Sequence, residues 1–203
     1  MANTGNVEKN IAKAAQDIFV EKGYDGATMR EIAARAGINI SMLHYYYRSK
    51  DNLFDITFNR MFQRMYGRIF KEMSSRHDLS TKIRNIIGIY LDTLSKYPRL
   101  PNFLFSEVTR HPVDNGRFTQ YKELIHQHIH SFQKQLDHAA EKGEIRPTKA
   151  MELFVDIESL CAYPFLTFPL WQKLFDITQT DFTRMTLSRR ETFAQNLIKS
   201  LEK

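Results

Sequence analysis

Apolar residues recur along the chain mostly at every third or fourth position, which is the spacing of an amphipathic helix. The stripe formed by Ile11, Ala14, Ala15, Ile18 and Phe19 is typical. We find no stretch with the alternation that a half-buried strand requires. Only 8 glycines and 6 prolines interrupt the 203 residues, so the helices can be long. The pattern predicts an all-α fold of about nine helices.

Three of these helices are predicted in the first quarter of the chain. The first spans residues 7–22. The second begins at Thr28, where Glu31 three positions later completes a capping-box pattern. The third spans residues 40–46 and follows Asn39, whose short amide side chain is a good N-cap. The second and third helices are therefore short and close together in the sequence.

Candidate caps and stops divide the rest of the chain. Ser49 and Ser80 are candidate N-caps, Pro164 is a stop signal, and Ser188 with Glu191 forms a second capping-box pattern. The remaining predicted helices span residues 50–74, 80–96, 101–109, 117–142, 148–163 and 188–203.

The second and third helices have the spacing of a helix-turn-helix motif, which places its second helix in the major groove of DNA. Helical geometry puts the bulky Leu43 and Tyr47 on the buried side of the third helix and leaves the opposite side for DNA. The candidate DNA-binding residues are Thr28, Arg30, Asn39, Ser41, Met42, His44, Tyr45, Tyr46 and Lys50. The alternative is plain helical packing, with the three tyrosines in a core.

The same stretch carries a more specific pattern. Residues 27–39 read ATMREIAARAGIN, residues 43–54 read LHYYYRSKDNLF, and residues 19–28 read FVEKGYDGAT. Together they resemble the DNA-binding region of the TetR family, and the resemblance covers roughly residues 7–60. It implies phosphate or base contacts for Thr28, Tyr45 and Lys50 in particular.

The third helix departs from the family pattern at several positions. The family commonly has a basic residue at the position of Ile40, tyrosine at that of His44, histidine at that of Tyr46 and phenylalanine at that of Tyr47. The usual tyrosine and histidine are thus exchanged in this chain.

The resemblance also implies a helix-turn-helix domain over residues 1–50 and a helical ligand-binding and dimerisation domain over residues 51–203. Middle helices would enclose a pocket lined by Tyr90, Phe103, Phe105, Val108, Tyr121, Ile125, His128, Phe132, Ser159 and Tyr163. A homodimer interface would include Phe154, Ile157, Cys161, Phe193, Leu197 and Leu201. The alternatives are a packed core without a pocket, and apolar stripes that close the monomer's own core.

Charge and composition narrow the class of protein. The formal net charge is +6, and basic residues cluster over 28–50 and 63–76, which favours a polyanionic partner or an ordinary solvated surface. One cysteine excludes a disulfide framework. No uninterrupted apolar run reaches about 18 residues, so we expect no membrane-spanning helix. The polar N-terminus lacks the apolar core of a signal peptide, and we expect a cytoplasmic protein.

Other residues are weaker candidates for a metal-binding or catalytic role. His126, His128 and His130 could contribute metal ligands, but a polar helix face explains them, and His128 could equally be a pocket residue or a core histidine. Cys161 lies in an apolar helix, which predicts a buried, unreactive thiol. The chain contains no glycine-rich phosphate loop or catalytic motif, so we expect no enzyme, no metal and no cofactor.

The function that the resemblance implies is a ligand-responsive transcriptional regulator. It would repress by binding a palindromic DNA operator as a homodimer, and a small, largely apolar effector would release it. The alternative is an all-α small-molecule-binding protein without a role on DNA.

Overall fold

The structure, a computed structural model, describes residues 4–110 and 119–202, and every regular element in these ranges is a helix. The α-helices are α1 (Thr4–Gly26), α2 (Met29–Ala36), α3 (Ile40–Tyr47), α4 (Lys50–Phe62), α5 (Arg68–Met73), α6 (Leu79–Lys96), α7 (Leu100–Arg110), α8 (Thr119–Glu141), α9 (Ala150–Phe175), α10 (Gln179–Ser188) and α11 (Arg190–Leu201). A π-helical turn, Gln63–Gly67, connects α4 to α5. The predicted all-α class is confirmed.

The chain divides into two compact units. The first comprises residues 1–63 and 102–113, and the second comprises residues 64–101 and 114–203. The first unit therefore holds α4 and most of α7 besides the three N-terminal helices. The sequence-based boundary after residue 50 stays a prediction of functional domains.

Polar side chains fix where the helices of the first unit begin. The hydroxyl of Thr28 accepts a hydrogen bond from the backbone N–H of Glu31 at 3.2 Å. The amide oxygen of Asn39 accepts one from the N–H of Met42 at 2.7 Å. Since each cap satisfies a backbone donor within one turn, these starts follow from local sequence. Gly37, with φ of 70° and ψ of 32°, ends α2 in the predicted left-handed conformation.

Aromatic rings fill the core of the first unit. Phe54 of α4 packs edge-on against Phe19 of α1, with ring centroids 4.9 Å apart. Phe103 of α7 lies within 5.8 Å of Phe54 and 5.9 Å of Phe58. Leu43 of α3 is fully buried in the same unit. The core thus anchors the inner side of α3.

Helix α6 is central to the second unit. It contacts α5, α9, α10 and α11, and its buried positions recur at helical spacing. The ammonium group of Lys82 on this helix is buried and donates to the carbonyl oxygens of Met73 and Ser75 at 2.8 and 3.1 Å and to the side chain of Gln135. It satisfies carbonyl groups at and just beyond the end of α5 that the helix itself cannot.

Several predicted boundaries were wrong. The long helix predicted over 50–74 is interrupted by the π-helical turn. Helix α6 begins one residue after Asp78, whose carboxylate accepts from Thr81 N–H at 2.9 Å, so Asp78 and not Ser80 is the cap. Both side chains can cap a helix, and only the packing of the chain selects between them.

The C-terminal third contains the largest differences. Helix α9 continues through Pro164 and Pro169 to Phe175, and the hydroxyl of Thr167 donates to the carbonyl oxygens of Tyr163 and Pro164. A proline removes only one helical hydrogen bond, and tertiary packing can outweigh that loss. Helix α10 was not predicted. The predicted capping box at Ser188 is absent, since its hydroxyl donates to Met185 instead.

By length and composition alone, α9 is apolar enough to cross a membrane. Its apolar residues do not form one uninterrupted run, so the sequence criterion did not select it, and the expected absence of a membrane-spanning helix stays a prediction. Eight of its residues are buried in the protein, and Glu152, Asp156 and Glu158 are spaced along its first half. A core helix of a water-soluble protein meets the same criterion, so α9 by itself is weak evidence for a membrane span.

Candidate nucleic-acid interface

Helix α3 has one buried side and one side open to a partner. Leu43 is 0% exposed and Tyr47 is 7% exposed, as the spacing predicted. Tyr45 on the opposite side is 83% exposed. Ser41, Met42 and His44 are also exposed, and Tyr46 is half-buried. The outer side of α3 therefore offers a hydroxyl, a thioether, an imidazole and a phenol to a ligand.

The starts of α2 and α4 lie at either end of the helix-turn-helix. Thr28 and Asn39 cap α2 and α3 and are both exposed, and Arg30 is exposed in the first turn of α2. Lys50 is the first residue of α4, after the cap Ser49. Free backbone N–H groups at such helix starts favour a phosphate.

Tyr24 positions the cation at the start of α4. The ammonium nitrogen of Lys50 lies 4.3 Å from the centroid of the Tyr24 ring. The Tyr24 hydroxyl donates to the carboxylate of Asp51, and this hydrogen bond, with burial, raises the pKa of Tyr24 to about 12. The ring is therefore held by its own hydroxyl while its face supports the lysine.

The joint between α3 and α4 is a tight turn centred on Arg48. Arg48 has φ of 56° and ψ of −55°, a positive φ that only a few non-glycine residues adopt. The N–H of Ser49 donates to the carbonyl oxygen of Tyr47 at 2.5 Å, so the turn spans three residues. Nδ1 of His44 lies 3.0 Å from the carbonyl oxygen of Arg48.

Part of the predicted basic cluster is neutralised inside the unit. Arg35 pairs with Glu21 at 2.9 Å, and Lys22 pairs with Glu31 at 2.5 Å. These pairs join α1 to α2 on the exposed surface, where each contributes little to stability. Of the predicted DNA-binding residues, none belongs to these pairs.

The N-terminal residues match a known family. Residues 11–55 match the family model described as bacterial regulatory proteins of the tetR family. This segment of the chain is therefore a DNA-binding region of the TetR type. The proposed resemblance over residues 7–60 is thereby confirmed.

Curated relatives extend the similarity beyond the matched segment. It is 21% identical over 168 residues to the probable HTH-type transcriptional regulator YttP of Bacillus subtilis, covering 79% of this chain and 78% of YttP. It is 22% identical over 157 residues to the HTH-type transcriptional repressor KstR2 of Rhodococcus jostii, covering 77% and 72% of the two chains. The chain is therefore a transcriptional regulator and not an enzyme.

A solved structure shares the fold. The transcriptional regulator FadR from Bacillus subtilis, crystallised in complex with stearoyl-CoA, superposes with a TM-score of 0.63 at 16% identity, covering 96% of this chain and 100% of that one. At this identity the likeness shows the fold of the chain and not its ligand.

The residues predicted to line a ligand pocket fall in both units of the chain. In the second unit, Tyr90, Tyr121 and Phe132 are buried, Ile125 and His128 are half-buried, and Ser159 and Tyr163 are exposed. In the first unit, Phe103 is buried against Phe54 and Phe58, whereas Phe105 and Val108 are exposed. The pocket itself stays a prediction.

His128 is engaged within the second unit. Its Nδ1 lies 2.7 Å from the hydroxyl oxygen of Ser74, and its ring stacks on Phe70 with centroids 6.1 Å apart. Burial lowers the pKa of His128, so the neutral ring is favoured there. Among the described residues, no group of three or more histidine, cysteine and carboxylate side chains is placed to hold a metal ion.

Sequence reasoning missed a buried polar cluster in the second unit. The hydroxyl of Tyr66, in the π-helical turn, donates to Glu158 of α9 at 2.6 Å. Burial raises the pKa of Glu158, and burial together with Glu158 raises that of Cys161. The buried Tyr90 hydroxyl has no hydrogen-bond partner among the residues that the structure describes, and its ring lies edge-on to Tyr66. The sequence did contain a signal for this cluster. Glu158 lies on the same side of the helix as the apolar Phe154 and Cys161, so partial burial of its carboxylate could have been predicted.

A small cavity of about 260 Å³ lies elsewhere in the second unit, at the start of α6 and the end of α11. Its walls include Leu79, Ile83, Ile145 and Ile198, with Glu144 and Glu202 among the polar residues. None of the predicted pocket residues lines this cavity.

The six residues predicted for a dimer interface are all buried within the single chain. They are Phe154, Ile157, Cys161, Phe193, Leu197 and Leu201, with exposures between 0 and 7%. They pack the second unit's own core, which is the alternative that the sequence left open. Other apolar residues of α9 are exposed instead, namely Met151, Val155, Tyr163, Leu170, Leu174 and Phe175.

Proposed function

We propose that this chain is a dimeric repressor that binds a palindromic DNA operator in the cytoplasm and is released by a small, largely apolar effector. The observation that carries the proposal is the open outer side of α3, where Tyr45 is 83% exposed next to His44 and Ser41. An exposed phenol beside an imidazole and a hydroxyl offers a partner both an aromatic ring and hydrogen-bonding groups. KstR2, a repressor by name, supports the direction of regulation.

Phosphate and base contacts have separate sources in this proposal. Thr28 and Lys50, at the starts of α2 and α4, bind phosphates and set the register on the duplex. Arg30, Ser41, His44 and Tyr45 read base edges in the major groove. Two copies of α3, one from each protomer, then fit successive grooves when they stand about 34–36 Å apart or a multiple of that.

The exposed apolar stripe of α9 is the proposed contact with a second copy of this chain. Met151, Val155 and Tyr163 lie on one side of the helix at intervals of four or eight residues, and Leu170 and Leu174 continue that side. A self-complementary apolar surface is what a two-fold dimer requires. Continuous apolar surface of this kind is rarely left uncovered in water.

The effector is proposed to act on the spacing of the two reading helices. The aromatic character of the second unit's interior favours an apolar ligand, and the related fold of FadR is known in complex with stearoyl-CoA. A ligand that moves the population from 1:99 to 99:1 must bind one state better by roughly 5.5 kcal/mol. A ligand with equal affinity for both states would not release DNA.

A gel shift tests the DNA-binding part of the proposal. The full chain is titrated onto labelled DNA flanking its own gene, with an unrelated duplex of equal length as the control. We expect a shift at concentrations about 10³-fold lower for the flanking DNA. Equal binding to both duplexes would favour a small-molecule-binding protein without a regulatory site on DNA.

Sedimentation equilibrium tests the dimer. Val155→Glu and Leu170→Glu each bury a charge in the proposed contact, and we expect each to weaken self-association by tenfold or more. Gln172→Glu adds the same charge at an exposed position off the stripe and should leave the dimer unchanged. A dimer that tolerates both stripe variants, or a wild-type chain that is monomeric, would contradict the assignment. Uptake of the wild-type chain into phospholipid vesicles would assign α9 to a membrane instead.

A further inference from the structure

The imidazole of His44 makes a hydrogen bond that determines which of its nitrogens carries the proton. Its Nδ1 lies 3.0 Å from the carbonyl oxygen of Arg48. A carbonyl oxygen can only accept, so Nδ1 must donate. In the neutral ring the other nitrogen, Nε2, is then left without a proton and can only accept.

The backbone that receives this bond is held in one conformation. Arg48 has φ of 56° and ψ of −55°, and its own N–H donates to the carbonyl oxygen of His44 at 2.8 Å. The N–H of Ser49 closes the turn on Tyr47 at 2.5 Å. Because the two ring nitrogens form hydrogen bonds in widely divergent directions, Nε2 does not face the carbonyl oxygen that Nδ1 binds. His44 is exposed next to the largely exposed Tyr45.

The chemistry of DNA separates the possible partners of such an acceptor. Phosphate oxygens accept, and so do guanine O6 and N7, adenine N7 and thymine O4. The donors in the major groove are the exocyclic amino groups, adenine N6 and cytosine N4. We infer that His44 reads the amino group of an adenine or a cytosine and does not contact a phosphate. This inference rests on the proposed binding to DNA.

An acceptor at Nε2 would let the protein distinguish the two orientations of a base pair in the operator. Every base pair carries one major-groove amino group, on adenine in one kind of pair and on cytosine in the other. An acceptor at a set place in the groove therefore distinguishes A·T from T·A, or C·G from G·C. His44 thus decides which strand carries the amino base at one symmetric pair of positions in the operator.

Base analogues in the operator test this reading directly. An operator is first selected from random duplex DNA with the full wild-type chain. Single adenines are then replaced by purine, and single cytosines by 2-pyrimidinone, so that each substitution removes one amino group. Binding is measured by fluorescence anisotropy at pH 8, at which an imidazole is ordinarily neutral. 7-Deazapurines, which remove N7 acceptors and keep the amino groups, are scanned in parallel.

The matched variant is His44→Asn, because the asparagine amide can donate to the Arg48 carbonyl but has no atom in the place of Nε2. A thermal melt checks that the α3–α4 joint is retained. We expect one symmetric pair of amino deletions to weaken wild-type binding by about 3- to 10-fold per half-site and to cost the variant nothing further.

Two results would overturn the inference. One is that no amino deletion couples to His44. The other is that a 7-deazapurine does, which would make Nε2 a donor. A third result, a wild-type chain that selects no sequence from random DNA, would contradict the proposed function, and the inference about His44 would fall with it. This result is distinguishable from the first two, in which an operator is selected but His44 does not read an amino group.

Discussion

Helices α3 and α9 both have one buried side and one exposed side. They differ in whether the exposed side is also more polar than the buried one. α3 has eight residues, of which Leu43 and Tyr47 are buried, while its outer side carries hydroxyl, imidazole and phenol groups. α9 has 26 residues, buries eight of them, and exposes further apolar residues on the other side. Helix α3 is thus amphipathic, whereas apolar residues are spread over nearly all sides of α9.

This difference explains why helical periodicity separated the buried from the exposed residues of α3 but did not do so for α9. A period of 3.6 residues separates buried from exposed positions only when the two sides differ in polarity. On α3 it placed both buried residues correctly. On α9 it could not decide which apolar side meets the core, and the residues chosen for an interface were core residues.

The buried side of α9 is where the largest effect is expected. Phe165 is 2% exposed and packs edge-on against Phe182 at 5.2 Å. Phe165→Ala leaves a cavity and should lower the free energy of unfolding by about 3–5 kcal/mol, measured by urea denaturation. Gln172→Ala, on the exposed surface of the same helix, should change it by less than about 0.5 kcal/mol. Similar losses for both would mean that α9 does not have the core side described above.

The outer side of α3 should show the opposite behaviour, with binding affected and stability unchanged. Tyr45→Ala removes an exposed ring, so the melting temperature should stay within about 2 °C of wild type. Affinity for the operator should fall by about 1 kcal/mol or more per half-site, and affinity for random DNA should fall less. Anisotropy titrations on both duplexes measure this. Equal losses on the two would remove Tyr45 from base reading.

Lys50, at the start of α4, should act on every sequence alike. Lys50→Ala removes one proposed phosphate contact, so affinity for operator and random DNA should fall by similar factors. The slope of log affinity against log salt should become smaller by about one unit for each lysine in contact. Titrations between about 50 and 200 mM salt measure the slope. A slope identical to that of wild type would argue that Lys50 only stacks on Tyr24.

The smallest effect is expected at Glu158, a half-buried carboxylate on α9. Burial raises the pKa of Glu158, so the folded state holds this proton more tightly than the unfolded chain does. Stability is then lost as the pH rises from the unfolded value through the raised folded pKa. Glu158→Gln keeps an acceptor for Tyr66 and removes the charge. It should therefore gain stability relative to wild type between pH 5 and pH 8.

Asp156→Asn provides the control for that measurement, because Asp156 is exposed on the same helix. Its melting temperature should follow that of wild type at both pH values. If Glu158→Gln also follows wild type, the carboxylate of Glu158 is not desolvated in the folded protein.

Local interactions were readable from the sequence alone. Thr28, Asn39 and Gly37 act within one turn of their own positions, and the structure places caps and a left-handed turn at those residues. The family assignment came from the same short range, residues 11–55. Features that act through neighbouring residues can be recognised without knowing the rest of the fold.

Tertiary structure decided what depends on residues far apart in the chain. The continuation of α9 through Pro164, the π-helical turn and the bond between Tyr66 and Glu158 all involve packing between distant segments. So does the choice of which apolar side of α9 meets the core. Periodicity shows that a residue can be buried, but burial requires a particular partner surface, and only the folded chain supplies it.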